Sequence, residues 1–122
     1  MNTQIQNSKP KYDLEDRTAK FGENIIDFAR SVKPDYINKP IITQLIRSGT
    51  SIGANYMEAN GAESKKDFLH KISICKKESK ESLHFLRMVA KSNPEVTQQA
   101  RNLWCEVHEL TLIFGSITKK KV

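Results

Sequence analysis

Residues 64–93 read SKKDFLHKISICKKESKESLHFLRMVAKSN, and this stretch decides the fold. Ser64 followed by Asp67 is the acidic variant of a helix capping box, in which the serine hydroxyl takes an orphan N–H of the first turn. Beyond it Phe68, Ile72, Cys75, Ser79, Ser82, Leu86 and Val89 step by four and three, which places all seven on one face of an α-helix. The spacing predicts a long helix that stops at Asn93 and turns this face inward.

The same pattern continues on either side. Asp13 can cap a first helix whose inner face is Leu14, Thr18, Phe21, Ile25, Phe28 and Val32, ended by Lys33-Pro34-Asp35. Asn38 and Pro40 open a second helix with Ile42, Leu45, Gly49, Ile52 and Tyr56 on one face, closed by Asn60-Gly61. Asn93-Pro94-Glu95 supplies a cap, a first-turn proline and a dipole-matched carboxylate for a fourth helix, with Val96, Ala100, Leu103, Val107, Leu110, Phe114 and Ile117 inward. No segment alternates with period two. Short connections force neighbours to run antiparallel, so the reading is an all-α, up-down-up-down four-helix bundle over residues 13–118. Residues 1–12 are expected as a flexible tail and residues 119–122 as a basic one.

At 122 residues the chain suits one hydrophobic core, and 38% hydrophobic with 28% charged residues is an ordinary globular composition. No apolar run approaches the ~20 residues of a membrane span, and Met1 to Lys11 lacks the apolar centre of a secretory signal, so a cytoplasmic location is expected. Cys75 and Cys105 fit that compartment as two buried free thiols. A di-iron bundle needs two Glu-x-x-His pairs and two further glutamates, but only Glu81-Ser-Leu-His84 fits, so no metal is expected. Cys75 has no histidine on its stripe to activate it, and neither a catalytic residue nor a cofactor is expected.

Gly49 and Gly53 each cost about 1 kcal/mol against alanine inside a helix, which close approach of a neighbouring helix would offset. On the same helix Arg47, Ser51, Asn55 and Glu58 share a stripe, readable as a binding feature or as a buried or subunit-spanning hydrogen-bond network.

The run Arg47-Ser-Gly-Thr-Ser-Ile-Gly-Ala-Asn55-Tyr-Met-Glu58-Ala, followed by Ser64-Lys-Lys-Asp-Phe68, strongly resembles the four-helix bundle proteins first noticed in bacterial ribosomal RNA intervening sequences. The resemblance runs from about Asp13 to Ile117. It implies assembly into a ring, usually a homopentamer, and no known enzymatic activity. One branch serves as the accessory protein of diversity-generating retroelements, which implies nucleic acid and a reverse transcriptase as partners. Many relatives place small residues in the middle of the third helix, where this chain reads Lys76-Lys77-Glu78-Ser79.

The third helix carries the functional signal. Opposite its core face, Lys66, His70, Ser73, Lys77, Lys80, His84, Arg87 and Lys91 form one stripe with no acidic member. Residues 65–91 hold eight Lys or Arg against three acids, a surplus of five positive charges, within a chain of net charge +6. The fourth helix instead sets Arg101 against Glu95, Glu106 and Glu109. A face selected only for solubility would tolerate Glu four residues from Lys and gain a few tenths of a kcal/mol per pair, yet the stripe has none.

This favours contact with phosphates by Lys66, Lys77, Lys80, Arg87 and Lys91, with Arg47 a weaker candidate, in an oligomeric RNA- or DNA-binding protein. Beside the stripe Ile74, Phe85 and Met88 read as an apolar edge for an oligomer interface, with Cys105 and Leu112 similarly outside the core. No aromatic stacking platform, zinc finger or recognition helix is legible. The rivals are a homo-oligomeric protein-interaction scaffold and a small-ligand pocket at the ring's centre.

Overall fold

A computed structural model describes residues 13–119. Four helices follow one another: α1 Leu14–Ser31, α2 Asn38–Asn60, α3 Lys65–Ser92 and α4 Thr97–Lys119, with a 3-10 turn Pro94–Val96 leading into α4. Among the described residues there is no strand, as the absence of period-two patterning predicts. The expected N-terminal tail, residues 1–12, lies outside the described residues, as do residues 120–122. Lys119, expected in the basic tail, is instead the last residue of α4.

The caps follow the sequence at two of the helix starts. Asp13 accepts from the Asp16 N–H at 3.4 Å, and the Ser64 hydroxyl accepts from the Asp67 N–H at 3.0 Å. At the start of α2 the capping side chain is Asp35 rather than Asn38. One Asp35 carboxylate oxygen accepts from the N–H groups of Ile37 and Asn38 at 2.9 and 2.8 Å. Asn38 is then free for another task. Fully buried, it donates to the Lys33 carbonyl at 2.9 Å and to the Asn93 side chain at 2.7 Å, so the α1–α2 connection and the α3–α4 turn are tied together.

The core is built from the faces predicted by periodicity. Phe21, Ile25, Leu45, Ile52, Ile72, Leu86, Val107, Leu110 and Phe114 are essentially inaccessible, and burial of each side chain of this kind contributes roughly 1.5–3 kcal/mol. The α2–α3 and α3–α4 contacts are the most extensive, and α1 packs far more on α2 than on α4. Small residues let α2 and α3 approach: the hydroxyls of buried Ser48 and Ser82 share a hydrogen bond of 2.9 Å, and Ser79 donates back to the Cys75 carbonyl at 2.8 Å. The two glycines of α2 face α1. A Cβ on Gly49 would lie 2.9 Å from Ile25 Cγ1, and one on Gly53 would lie 3.4 Å from the Thr18 backbone.

Cys75 is buried as expected, but Cys105 is exposed. The helical period explains the correction, because Cys105 falls between the inward Leu103 and Val107 on the outer side of α4. Among the described residues every buried side-chain nitrogen or oxygen has a hydrogen-bond partner, and no helix is long and apolar enough to cross a membrane.

Candidate nucleic-acid interface

Capped at Ser64 and held inward by Ile72, Cys75, Leu86 and Val89, α3 can present only its opposite face to solvent. All eight residues of the predicted stripe, Lys66, His70, Ser73, Lys77, Lys80, His84, Arg87 and Lys91, are exposed. At 1.5 Å per residue the stripe runs about 37 Å along the helix. Among the described residues, none of its five Lys and Arg side chains has a carboxylate within 4.0 Å, whereas Arg17, Arg47 and Lys71 all do.

Arg47, expected as a weaker phosphate contact, lies beside the stripe on α2 and reaches two acids of α3. Its guanidinium, about half exposed, pairs with Glu78 at 3.2 Å and with Glu81. Glu78, whose side chain is only 8% exposed, is a buried carboxylate in the middle of the most basic helix. Partial desolvation lowers the Arg47 pKa, but attraction to Glu78 and Glu81 outweighs it and leaves the guanidinium above its ordinary value. Two of the three acids of α3 are therefore paired from α2, the single positive charge of Arg47 offsetting one of their two negative charges. Arg17 of α1 does the same for α4, with Glu106 at 2.9 Å and Glu109 at 3.1 Å.

The polar stripe of α2 is not one network. Ser51 and Asn55 donate to carbonyls of their own helix, at 2.6 and 2.9 Å, while Glu58 pairs with Lys71 at 2.8 Å. Ile74, Phe85 and Met88, expected as an apolar edge, are half-buried within the subunit, and Phe85 packs against the core. The large apolar side chains that are exposed lie elsewhere, among them Ile26, Ile46, Met57, Trp104 and Leu112.

An open groove of about 770 Å³ lies against the stripe, where Lys77, Lys80 and His84 of α3 meet Gln44 and Arg47 of α2. A second, of about 360 Å³, lies between α3 and α4 and includes Arg87, Arg101 and Trp104. Sequence reading missed this aromatic beside the stripe, although an outward tryptophan on an amphipathic helix was a signal available to it. Burial pushes the Cys75 thiol up to about 12, so at neutral pH it is a protonated core group rather than a nucleophile. Among the described residues, no three His, Cys, Asp or Glu side chains converge to hold a metal ion.

Four helices packed against one another, with no strand among the described residues, make this an all-α protein. The chain belongs to the 23S rRNA-intervening sequence protein family, whose profile matches residues 11–116. It is similar to the crystal structure of a protein of unknown function from the S23 ribosomal protein family of Bacteroides thetaiotaomicron VPI-5482. The two share 28% identity over 86% of this chain and 97% of the other, with a TM-score of 0.75. No curated protein matches the chain.

Proposed function

We propose that this chain is a non-enzymatic, cytoplasmic, oligomeric nucleic-acid-binding protein that contacts the phosphate backbone of RNA or DNA through the α3 stripe. The observation that carries this reading is the row of cations Lys66, Lys77, Lys80, Arg87 and Lys91 on one exposed face, none of them with a carboxylate within 4.0 Å among the described residues, while Arg47 pairs with the nearby acids Glu78 and Glu81. Such a surface reads charge and shape, and its affinity comes from released counterions. We take the subunit as an antiparallel up-down-up-down bundle, supported by facing pairs in which numbers rise on one helix as they fall on the next. Ile25 meets Gly49 and Thr18 meets Gly53, while Ser48 meets Ser82 and Glu58 meets Lys71.

Assembly into a homopentamer is the oligomer that the family resemblance implies, and exposed Ile46 and Met57 supply apolar surface for it to cover. The same exposed apolar side chains favour the second reading, a homo-oligomeric scaffold for a protein partner such as a reverse transcriptase. Fluorescence anisotropy with labelled single-stranded RNA and DNA across a salt series separates the two. The phosphate reading expects log affinity to fall linearly with log salt, and Lys77→Glu with Lys80→Glu to reduce the slope by about 0.7 per lost contact. Absence of binding at low salt would overturn it in favour of the scaffold.

A further inference from the structure

Trp104 is the chain's one tryptophan, and it is 37% exposed on α4. The His108 ring covers one of its faces, stacked at 4.9 Å and 11°. The indole also lines the groove between α3 and α4. Leu86, Ala90 and Ala100 give that groove an apolar lining, and Arg87 and Arg101 bring it charge. Both arginines are exposed, and among the described residues neither has a carboxylate within 4.0 Å. Arg87 also belongs to the phosphate stripe, so the groove is continuous with it.

An apolar slot with an aromatic wall and two unneutralised guanidinium groups suits a flat, apolar ring joined on both sides to anionic linkages. We infer that this groove takes an unpaired base of single-stranded RNA, stacked on the free face of Trp104, with the flanking phosphates on Arg87 and Arg101. Duplex bases are stacked on one another and present no open face, whereas loops and bulges of folded RNA offer bases that can be splayed onto an aromatic ring. The inference rests on the phosphate-binding reading and adds to it a preference for single strands.

Trp104 emission reports this groove alone, because no other tryptophan contributes. The full chain is titrated at low salt with a labelled U-rich RNA strand and with an RNA duplex of equal length, and anisotropy and tryptophan emission are followed together. The single strand should quench Trp104 in step with the anisotropy change, and the duplex should raise anisotropy with little quenching. Trp104→Ala should weaken single-strand binding by about fivefold or more with an unchanged salt slope. Trp104→Phe, which keeps a ring, should retain most of the affinity and decides the point if the alanine variant folds poorly.

Binding without quenching, together with unchanged affinity in Trp104→Ala, overturns the base-stacking inference and leaves the phosphate reading standing. No binding by either probe overturns both. Tighter binding and stronger quenching by an equal-length oligo(dT) overturn the assignment to RNA.

Discussion

Adding one methyl group at Gly49 should destabilise the protein even though alanine is the better helix former. The new Cβ would lie 2.9 Å from Ile25 Cγ1, 3.2 Å from Cγ2 and 3.4 Å from Cβ. Ile25 is fully buried and β-branched, so it cannot rotate out of the way without leaving its rotamer. Overpacking of this kind costs about 1–3 kcal/mol, against a gain of about 1 kcal/mol in helix propensity. Gly53 is the internal control, because its Cβ would meet Thr18 at 3.4 Å, an ordinary contact distance. Gly53→Ala should therefore keep the propensity gain.

Comparing the two alanine variants cancels propensity and leaves the steric term, so Gly49→Ala should be the less stable by about 1–3 kcal/mol. For a domain near 100 residues that is a melting difference of at least about 4 °C. Urea unfolding followed by circular dichroism at fixed protomer concentration reads the difference. Ile25→Ala should relieve the clash, so the double variant should lose less than the sum of the singles. If Gly49→Ala proves as stable as Gly53→Ala, or the cycle is additive, the packing argument is wrong.

Arg47→Ala should cost roughly 1–2 kcal/mol, a value discounted because Arg47 is 48% exposed, since it leaves buried Glu78 unpaired. Adding Glu78→Gln should recover part of the loss, and urea midpoints of the single and double variants check it. Thiol titration near pH 8 should count one fast thiol per chain, exposed Cys105, with Cys75 reacting only after denaturation. Because the Cys75 pKa is raised to about 12 when folded, its contribution is full below the unfolded value near ~9 and is lost as pH rises towards 12. Cys75→Ala should flatten that alkaline fall in the melting temperature. Light scattering of the full chain should report about five times the 13.9 kDa subunit mass, and a monodisperse monomer at micromolar concentration would exclude the ring.

The helices were legible because caps and period are local. Ser64 with Asp67 fixes where α3 begins, and the inward row from Ile72 to Val89 fixes which face is buried, so the exposure of the basic stripe follows. What was not legible depended on a second element. Asn38 reads only as the opening of α2 until the α3–α4 turn places Asn93 2.7 Å away. Glu78 reads as one of three acids in a basic helix until Arg47 reaches it from α2 and pairs with it inside the bundle. Cys105 reads as buried only from the habit of its residue type, which loses to the period of α4. Trp104 is plainly outward on its own helix, but its neighbour Arg87 belongs to α3.

On the proposed reading, the position of the positive charge, rather than its total, binds phosphate. Two double variants that lower the net charge of +6 equally separate these. One is Lys77→Glu with Lys80→Glu on the stripe, and the other is Lys20→Glu with Arg30→Glu on the exposed face of α1. Affinity for single-stranded RNA is measured across a salt series for both and for the wild type. The stripe variant should lose about tenfold or more in affinity at low salt with a flatter salt slope, while the α1 variant should stay within about threefold of the wild type with its slope intact. Equal losses in the two variants, or no loss in either, would show that the α3 stripe is not where phosphate binds.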